Sequence, residues 1–530
     1  MPEDVLDATV VRVKDVDAKH IDWKLRIEAW RDLAILHEGG HTIKKCPERF
    51  LKLRPSEDSD VYAARLDRFT YQNLLGAAIG WYLSAMFKEP PQIFFGSSDS
   101  EKKILKEVSS FYVDEFLNNA DGAGRSYTDV WKKLFVSLCV FGRAFALTDL
   151  NKDDDPPPTT KQDQIDRGLL DPHVVVYDPL SVINWREDSL GNLFWVMVKS
   201  TLIEQESPFT KAKTVDYWYY FTQTEYSVYR RERKEEEGEE TIDQDDNVFL
   251  VNSGRHALAS FERVPVRKFE FPEGLWLADR VYLPLIDHLN QDNTLSWALF
   301  MSNLAMPVII SDADIDATST EAGYIKLPSG SSYQWSEPEG NSFEHSANRL
   351  ENLREEIFRT MYLLNQGRSA KATPALQSGR SKEIDMMPST DVLSLMGGTI
   401  CDGMQNLLAD VSDARKDDIE LDVRGPRFYN EMSTEEVFAM TTTIRLGVPS
   451  DTFEREMYKK MARNWMRGKN PDLLLKIDDE IDAGPLLRER EQKMMEQSAE
   501  ITGKGVSSAL SRVPSPPGRG TSVQEQKRIR

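Results

Sequence analysis

His37-Glu38-Gly39-Gly40-His41 is the stretch of this 530-residue chain whose residue types match a catalytic pattern. H-E-x-x-H sets two zinc-ligating histidines one helical turn apart, with the glutamate as general base for peptide hydrolysis. That chemistry needs one unbroken helix. Two glycines inside the motif cost a helix about 2 kcal/mol relative to alanine. Following the periodic run Trp23–Leu36, they read instead as a helix stop. No nucleophile elbow, P-loop or dinucleotide fingerprint occurs. Gly122-Ala123-Gly124 and Ser329-Gly330-Ser331 are too short for phosphate cradles. Asp312, Asp314 and Asp316 bring carboxylates together without a recognisable partner acid or base. The expectation is a non-enzymatic chain with no catalytic, cofactor-binding or metal-ligating residue. A zinc peptidase using His37, Glu38 and His41 is the alternative.

A second cluster points to binding. Between Gln366 and Lys382 stand Arg368, Lys371, Arg380 and Lys382 with no acidic residue, among Gly367, Pro374 and Gly379. That composition predicts a flexible basic loop. It sits in a chain with 66 Lys and Arg against 87 Asp and Glu, a net charge of −21. Such a balance argues against a general nucleic-acid-wrapping surface, because phosphate binding needs net positive contacts.

The elements that would position this loop are helical. Pro284 suits a first helical position, and Pro307 closes a helix running to about Leu304. A second helix is predicted over Phe343–Leu364, with Leu350, Leu353, Ile357, Met361 and Leu364 in one seam. A third carries Leu393, Met396, Ile400, Met404, Leu407 and Val411 on one face, with Pro388 and Gly397-Gly398 as kink points. Between the first two helices, Val308–Ile310, Tyr324–Leu327 and Ser332–Trp335 are short strand candidates. So few strands invite pairing with a neighbouring subunit, a local hairpin being the alternative.

Upstream, helices are expected at Trp23–Leu36, Val61–Phe87 and Tyr127–Cys139, and strands at Gly142–Leu147, Val174–Tyr177, Leu193–Ser200, Val215–Tyr229 and Val248–Val251. The aromatics of Tyr217–Phe221 read as sheet core before they read as a base-stacking platform. The acidic run Arg231–Asp246 reads as a solvated loop. Downstream, Leu421–Phe428 reads as a strand or extended link. Ser433 with Glu436 signals one helix and Ser450 another, to about Arg467; Gly484–Gly503 reads as a charged helix, and Ser507–Arg530 as a disordered tail. The length implies several domains. Cys46, Cys139 and Cys401 are few and far apart, so no disulfide framework or Cys-based zinc site is expected, and assembly in a reducing cytoplasm fits. Met1–Val10 lacks a signal pattern, and the most apolar run, Leu74–Phe87, is too short to span a bilayer.

The order helix, β-rich insert, returning helix, basic loop and kinked helix resembles the portal (head–tail connector) proteins of tailed bacteriophages. Leu376-Gln-Ser-Gly-Arg-Ser-Lys-Glu-Ile384 resembles that family's loop exit. Phe141-Gly-Arg-Ala-Phe-Ala-Leu147 and Tyr177-Asp-Pro-Leu-Ser-Val-Ile-Asn-Trp185 resemble its wing region. The likeness runs from about Asp22 to Ala483. It implies an α+β, predominantly helical subunit. Its wing would be 1–283, stem helices 284–305 and 343–365, clip 306–342, tunnel loop 366–387, kinked wing helix 388–420 and crown 421–483; a charged helix and disordered tail would occupy 484–530. It further implies a dodecameric homo-oligomeric ring at one capsid vertex of the virion, assembled in the host cytoplasm. Double-stranded DNA would pass through the ring during packaging and ejection. The terminase large subunit, head–tail adaptor, major capsid protein and scaffolding protein would be its partners, with no membrane. Arg368, Lys371, Arg380 and Lys382 would face the channel. A structural or scaffolding protein that never meets DNA is the remaining alternative.

Overall fold

The computed structural model describes residues 10–55, 57–88, 91–96, 111–151, 160, 163–164, 167–205, 207–233, 246–303, 306–310, 332–336, 341–363, 379–417, 419–424, 451–465 and 471–484. They belong to two units, Met1–Asn430 and Glu431–Arg530.

In the first unit, β1 (Val10–Arg12) leads into a single turn, α1 (Val13–Val16). α2 (Ile21–Glu38) follows, capped by the His20 ring, which accepts from the Asp22 N–H. Its buried residues Ile27, Trp30, Leu33 and Leu36 recur every third position, a stripe on one helical face. Gly39, at φ 62, ends it in a conformation that costs a residue with a Cβ. α3 (Gly40–Lys44) is a separate turn.

The single helix expected over 61–87 is two, α4 (Ser59–Asp67) and α5 (Leu74–Met86). Distant side chains make the break. The Thr70 N–H and C=O are taken by the Asn293 amide at 3.0 and 2.8 Å instead of by helix neighbours. Asn73 then caps α5 by accepting from the Gly76 N–H at 2.7 Å. α6 (Tyr127–Phe141) starts at a Ser126 cap and ends at Gly142, φ 76, where the Trp276 ring fills the space of a Cβ.

The sheets are antiparallel. β2 is Gln92–Gly96, β3 Arg143–Leu150, β4 Pro172–Tyr177, β5 Val182–Glu187, β6 Leu193–Glu204 and β7 Lys213–Thr222. β8 is Glu225–Glu232, β9 Asn247–Arg255 and β10 Val266–Glu270. A six-stranded sheet runs β1-β9-β8-β7-β6-β5, and a three-stranded one β10-β3-β4. Phe145, Leu147, Val182, Trp185, Val196, Val198, Phe221 and Val266 form one core between them. Val13, Val16, Met197 and Trp218 pack on the other face of the large sheet. The Trp218 and Phe221 rings are thus core, as the alternation of a half-buried strand dictates. The expected strand Val215–Tyr229 divides at a turn into β7 and β8. Residues 234–245 of the acidic run lie outside the described residues.

The main core is helical. It draws on α2, α5 and α6, and on α7 (Leu277–Asn303), α8 (Asn341–Thr360) and α9 (Gly379–Arg415). Between α7 and α8, β11 (Met306–Ile310) pairs with β12 (Ser332–Ser336). After α9, β13 (Glu420–Arg424) pairs with β2. Of the insert strands, Tyr324–Leu327 lies outside the described residues.

Two helix starts differ from expectation. α7 begins at Leu277, seven residues before Pro284, which lies inside it. Proline removes one N–H and clashes one turn back, so it kinks an otherwise well-packed helix without having to begin it. α9 begins at Gly379, not near Pro388, because Arg380–Met387 is rich in strong helix formers.

In the second unit, α10 (Asp451–Trp465) packs against α11 (Pro471–Ala483). Arg455 donates to the Ile481 carbonyl at 2.8 Å, and Lys459 pairs with Asp482 at 2.9 Å. The predicted helix after Ser433, the cap Ser450 and the segments 485–503 and 507–530 lie outside the described residues. Among the described residues no helix is long and apolar enough to cross a membrane.

Candidate functional site

α7 and α8 form a helical pair joined through a two-stranded insert and rooted in the core at one end. At the root, α7 buries Val281, Leu285 and Leu289, and α8 buries Leu353, Ile357 and Phe358. The chain after α8 is tied down by geometry. Leu363 N–H bonds to the Phe358 carbonyl at 2.7 Å and Tyr362 N–H to the Arg359 carbonyl at 3.0 Å, the paired bonds of a Schellman motif. Tyr362 takes the left-handed position at φ 57, where glycine is usual, and its hydroxyl accepts from Arg280 at 3.2 Å. Tyr82 Oη donates to the Met361 carbonyl, pinning the exit to α5.

Away from the root, burial stops. Glu344–Arg349 of α8 are all exposed, and α7 has no fully buried residue from Thr294 to Phe300. Trp297 and Phe300 touch at 5.8 Å between ring centres. One side of α7 is clasped by the segment around α4. Asn290 donates to the Phe50 carbonyl at 3.1 Å, Arg54 to Thr294 Oγ1 at 2.9 Å, Asn293 exchanges two bonds with Thr70, and the Arg68 guanidinium lies 3.5 Å from the Phe300 ring centre. Sequence reasoning missed this strap. Its signal was Asn290 and Asn293 on the apolar side of α7, three apart.

Charge along the pair is mixed. Arg349 meets Asp287 at 3.7 Å. His288, 5 % exposed, is pushed below the usual imidazole value by burial, with Arg354 adding to it against Asp292, Asp287 and Glu351. Burial raises the Asp292 carboxyl, and His288 opposes that only in part.

Of the basic residues expected to face a channel, Arg368 and Lys371 lie outside the described residues. Arg380 and Lys382 stand in the first turn of α9, on helical backbone and not in a loop. The sequence predicts all four in one loop over 366–387. That expectation is corrected from Gly379 onward, and the cause is the helix-forming run ahead of Pro388.

The H-E-x-x-H residues do not share a helix. His37 and Glu38 end α2, the chain turns at Gly39, and His41 belongs to α3. The Asn73 amide donates to the His37 carbonyl at 2.8 Å, fixing this turn. The spacing that zinc chemistry requires is therefore broken. Among the described residues no three His, Cys, Asp or Glu side chains gather to hold a metal. Gly122-Ala123-Gly124 is a turn filled by its own chain. Asp121 Oδ1 accepts from the Ala123 and Arg125 N–H groups, each at 2.9 Å. Asp312, Asp314, Asp316 and Ser329-Gly330-Ser331 lie outside the described residues.

No protein-family model matches the chain, and no curated protein matches it. Solved structures similar to it include the neck of an empty GTA particle computed with C6 symmetry, at 9 % identity and TM-score 0.36, over 76 % of this chain and 92 % of that one. The virion of a native gene transfer agent (GTA) particle matches at 9 % identity and TM-score 0.36, over 81 % and 98 %. The neck of a native GTA particle computed with C12 symmetry matches at 10 % identity and TM-score 0.30, over 71 % and 87 %. At TM-scores this low the likeness decides nothing about this chain.

Proposed function

We propose that this chain is the repeating subunit of a portal ring, a channel at one capsid vertex through which double-stranded DNA is packaged and ejected. The observation that carries the reading is the α7–α8 pair, anchored in the core at one end and exposed along Glu344–Arg349 of α8 toward the other. Copies set side by side around an axis would bring such pairs together, with the exposed stretch at their contacts. Twelve helices spaced at roughly 10 Å enclose a circle of about 120 Å, about 38 Å across between axes. Subtracting a helix width of about 10 Å leaves a bore near 28 Å. A B-form duplex of roughly 20 Å passes, with space for side chains and water. α7, with 27 residues, is about 40 Å long.

In this reading the ring docks the terminase and later the head–tail adaptor, and contacts the capsid and scaffolding proteins. Arg380 and Lys382, with Arg368 and Lys371, line the bore. The chain is no enzyme and holds no cofactor. Negative-stain electron microscopy of the purified full chain tests the proposal. The expected image is a closed ring with a central hole wide enough for a duplex. Isolated monomers or solid particles across a range of concentrations would overturn it.

A further inference from the structure

Beside the end strand of the three-stranded sheet lies a cleft of about 430 Å³, lined by Asp121, Arg125, Asp129, Lys132 and Lys133 on one side and by Val174, Val175 and Val176 of β4 on the other. Among the described residues β4 pairs with β3 alone. In an antiparallel ladder successive residues turn their N–H and C=O groups to alternate sides. The Val174 N–H donates to the Ala120 carbonyl at 2.8 Å, so Val174 and Val176 are the residues turned away from β3. Ala120 thus occupies the outer side of β4 at that one position. Beyond it, Val176 presents an N–H and a C=O toward the cleft.

The charges at the rim are not equivalent. The Asp121 carboxylate accepts from two N–H groups of its own turn, and Asp129 is held by Ser126 Oγ at 2.7 Å and Lys132 Nζ at 2.8 Å. Both acids are thus committed. Lys133 is exposed, and no carboxylate among the described residues pairs with it. In a chain of net charge −21 this is a local cationic spot beside an open main-chain edge.

We infer that this cleft takes an extended segment of another protein as an added strand on β4, with an acidic side chain of that segment meeting Lys133. Main-chain bonds to Val176 would give the affinity, and the lysine the choice of partner. Occupation of the cleft requires neither the α7–α8 pair nor a ring.

The test is fluorescence anisotropy on the full chain with two labelled hexapeptides, alternating Glu-Val and alternating Lys-Val. The Glu-Val peptide is expected to bind at least tenfold tighter, and more weakly as salt rises. Val176→Pro removes the outward N–H without touching the β3 ladder, a place where an edge strand tolerates proline. It should weaken binding about tenfold, the effect of losing one main-chain bond and gaining a ring at the edge. Lys133→Glu should weaken it about fivefold, a surface-charge effect. Should Val176→Pro lower the unfolding midpoint, the Lys133→Glu result decides. Equal affinity for both peptides, no binding of either, or full binding by both variants would overturn the inference. So would self-association of the chain that Val176→Pro abolishes, since that assigns the edge to a second copy.

Discussion

At Gly403 there is no room for a side chain. A Cβ there would stand 2.7 Å from the Trp131 ring and 3.2 Å from that of Phe269, so the bare backbone lets α9 lie close to α6 and β10. Gly403→Ala gains about 1 kcal/mol of helix propensity. Overpacking against two fixed rings outweighs it, and the net expectation is a loss of about 1–2 kcal/mol, read from urea unfolding. His288 makes a pH-dependent contribution. Burial depresses its folded value, so below its ordinary value of 6.5 the unfolded chain takes up the proton first. The stability it contributes is whole above 6.5 and is lost as pH falls toward the lower folded value. Asp292, whose carboxyl burial raises, works in the opposite sense. Comparing His288→Gln with the parent therefore isolates the imidazole. The variant should lose less stability between pH 7 and pH 5, and an unchanged slope of midpoint against pH would refute the assignment.

At the scale of elements, what the sequence made legible was periodicity. The six apolar residues of α9 from Leu393 to Val411 are all buried, as their spacing predicts, and so are Leu353, Ile357 and Met361 on the α8 side of the pair. Because Ile357 is fully buried at the root, Ile357→Ala should cost about 2–5 kcal/mol in chemical unfolding. A loss under 1 kcal/mol would mean that the pair is not rooted there. Boundaries were less legible, for a physical reason. The break between α4 and α5 is made by Asn293, 223 residues away, and no local pattern reports that. The same holds for the strap on α7 and for β2, which needs β13 as its partner. The candidate site was legible as two helices, but its strands were expected to pair with a neighbouring subunit, and β11 instead pairs with β12 of the same chain. The placement of Arg380 was not, because glycine and proline signals outweighed a helix-forming run between them.

For the whole molecule, within the channel reading, the net charge of −21 would set the terms on which DNA is handled. Each phosphate contact adds affinity through counterion release, and many copies multiply it, so an acidic subunit favours passage over retention. Within the channel reading, a few cations then act as mobile contacts. Changing Arg368, Lys371, Arg380 and Lys382 to glutamine is expected to reduce the nuclease-protected DNA in assembled particles by about tenfold or more, while rings still form under the microscope. Normal DNA content in that variant would remove the role.

Pro284 bears on the same geometry. It has no N–H for the carbonyl of Arg280, so α7 carries its weakest rung among side chains that are themselves held fast. From there to Asn303 the rod is about 30 Å long, and the strap around α4 holds it at Asn290, Asn293, Thr294 and Phe300. A lean of about 10° at the fulcrum would carry the far end roughly 5 Å sideways, and the strap with it. In the proposed ring, twelve such rods leaning together with their straps would work like an iris, and the aperture they frame would be set at the proline, far from anything passing through it.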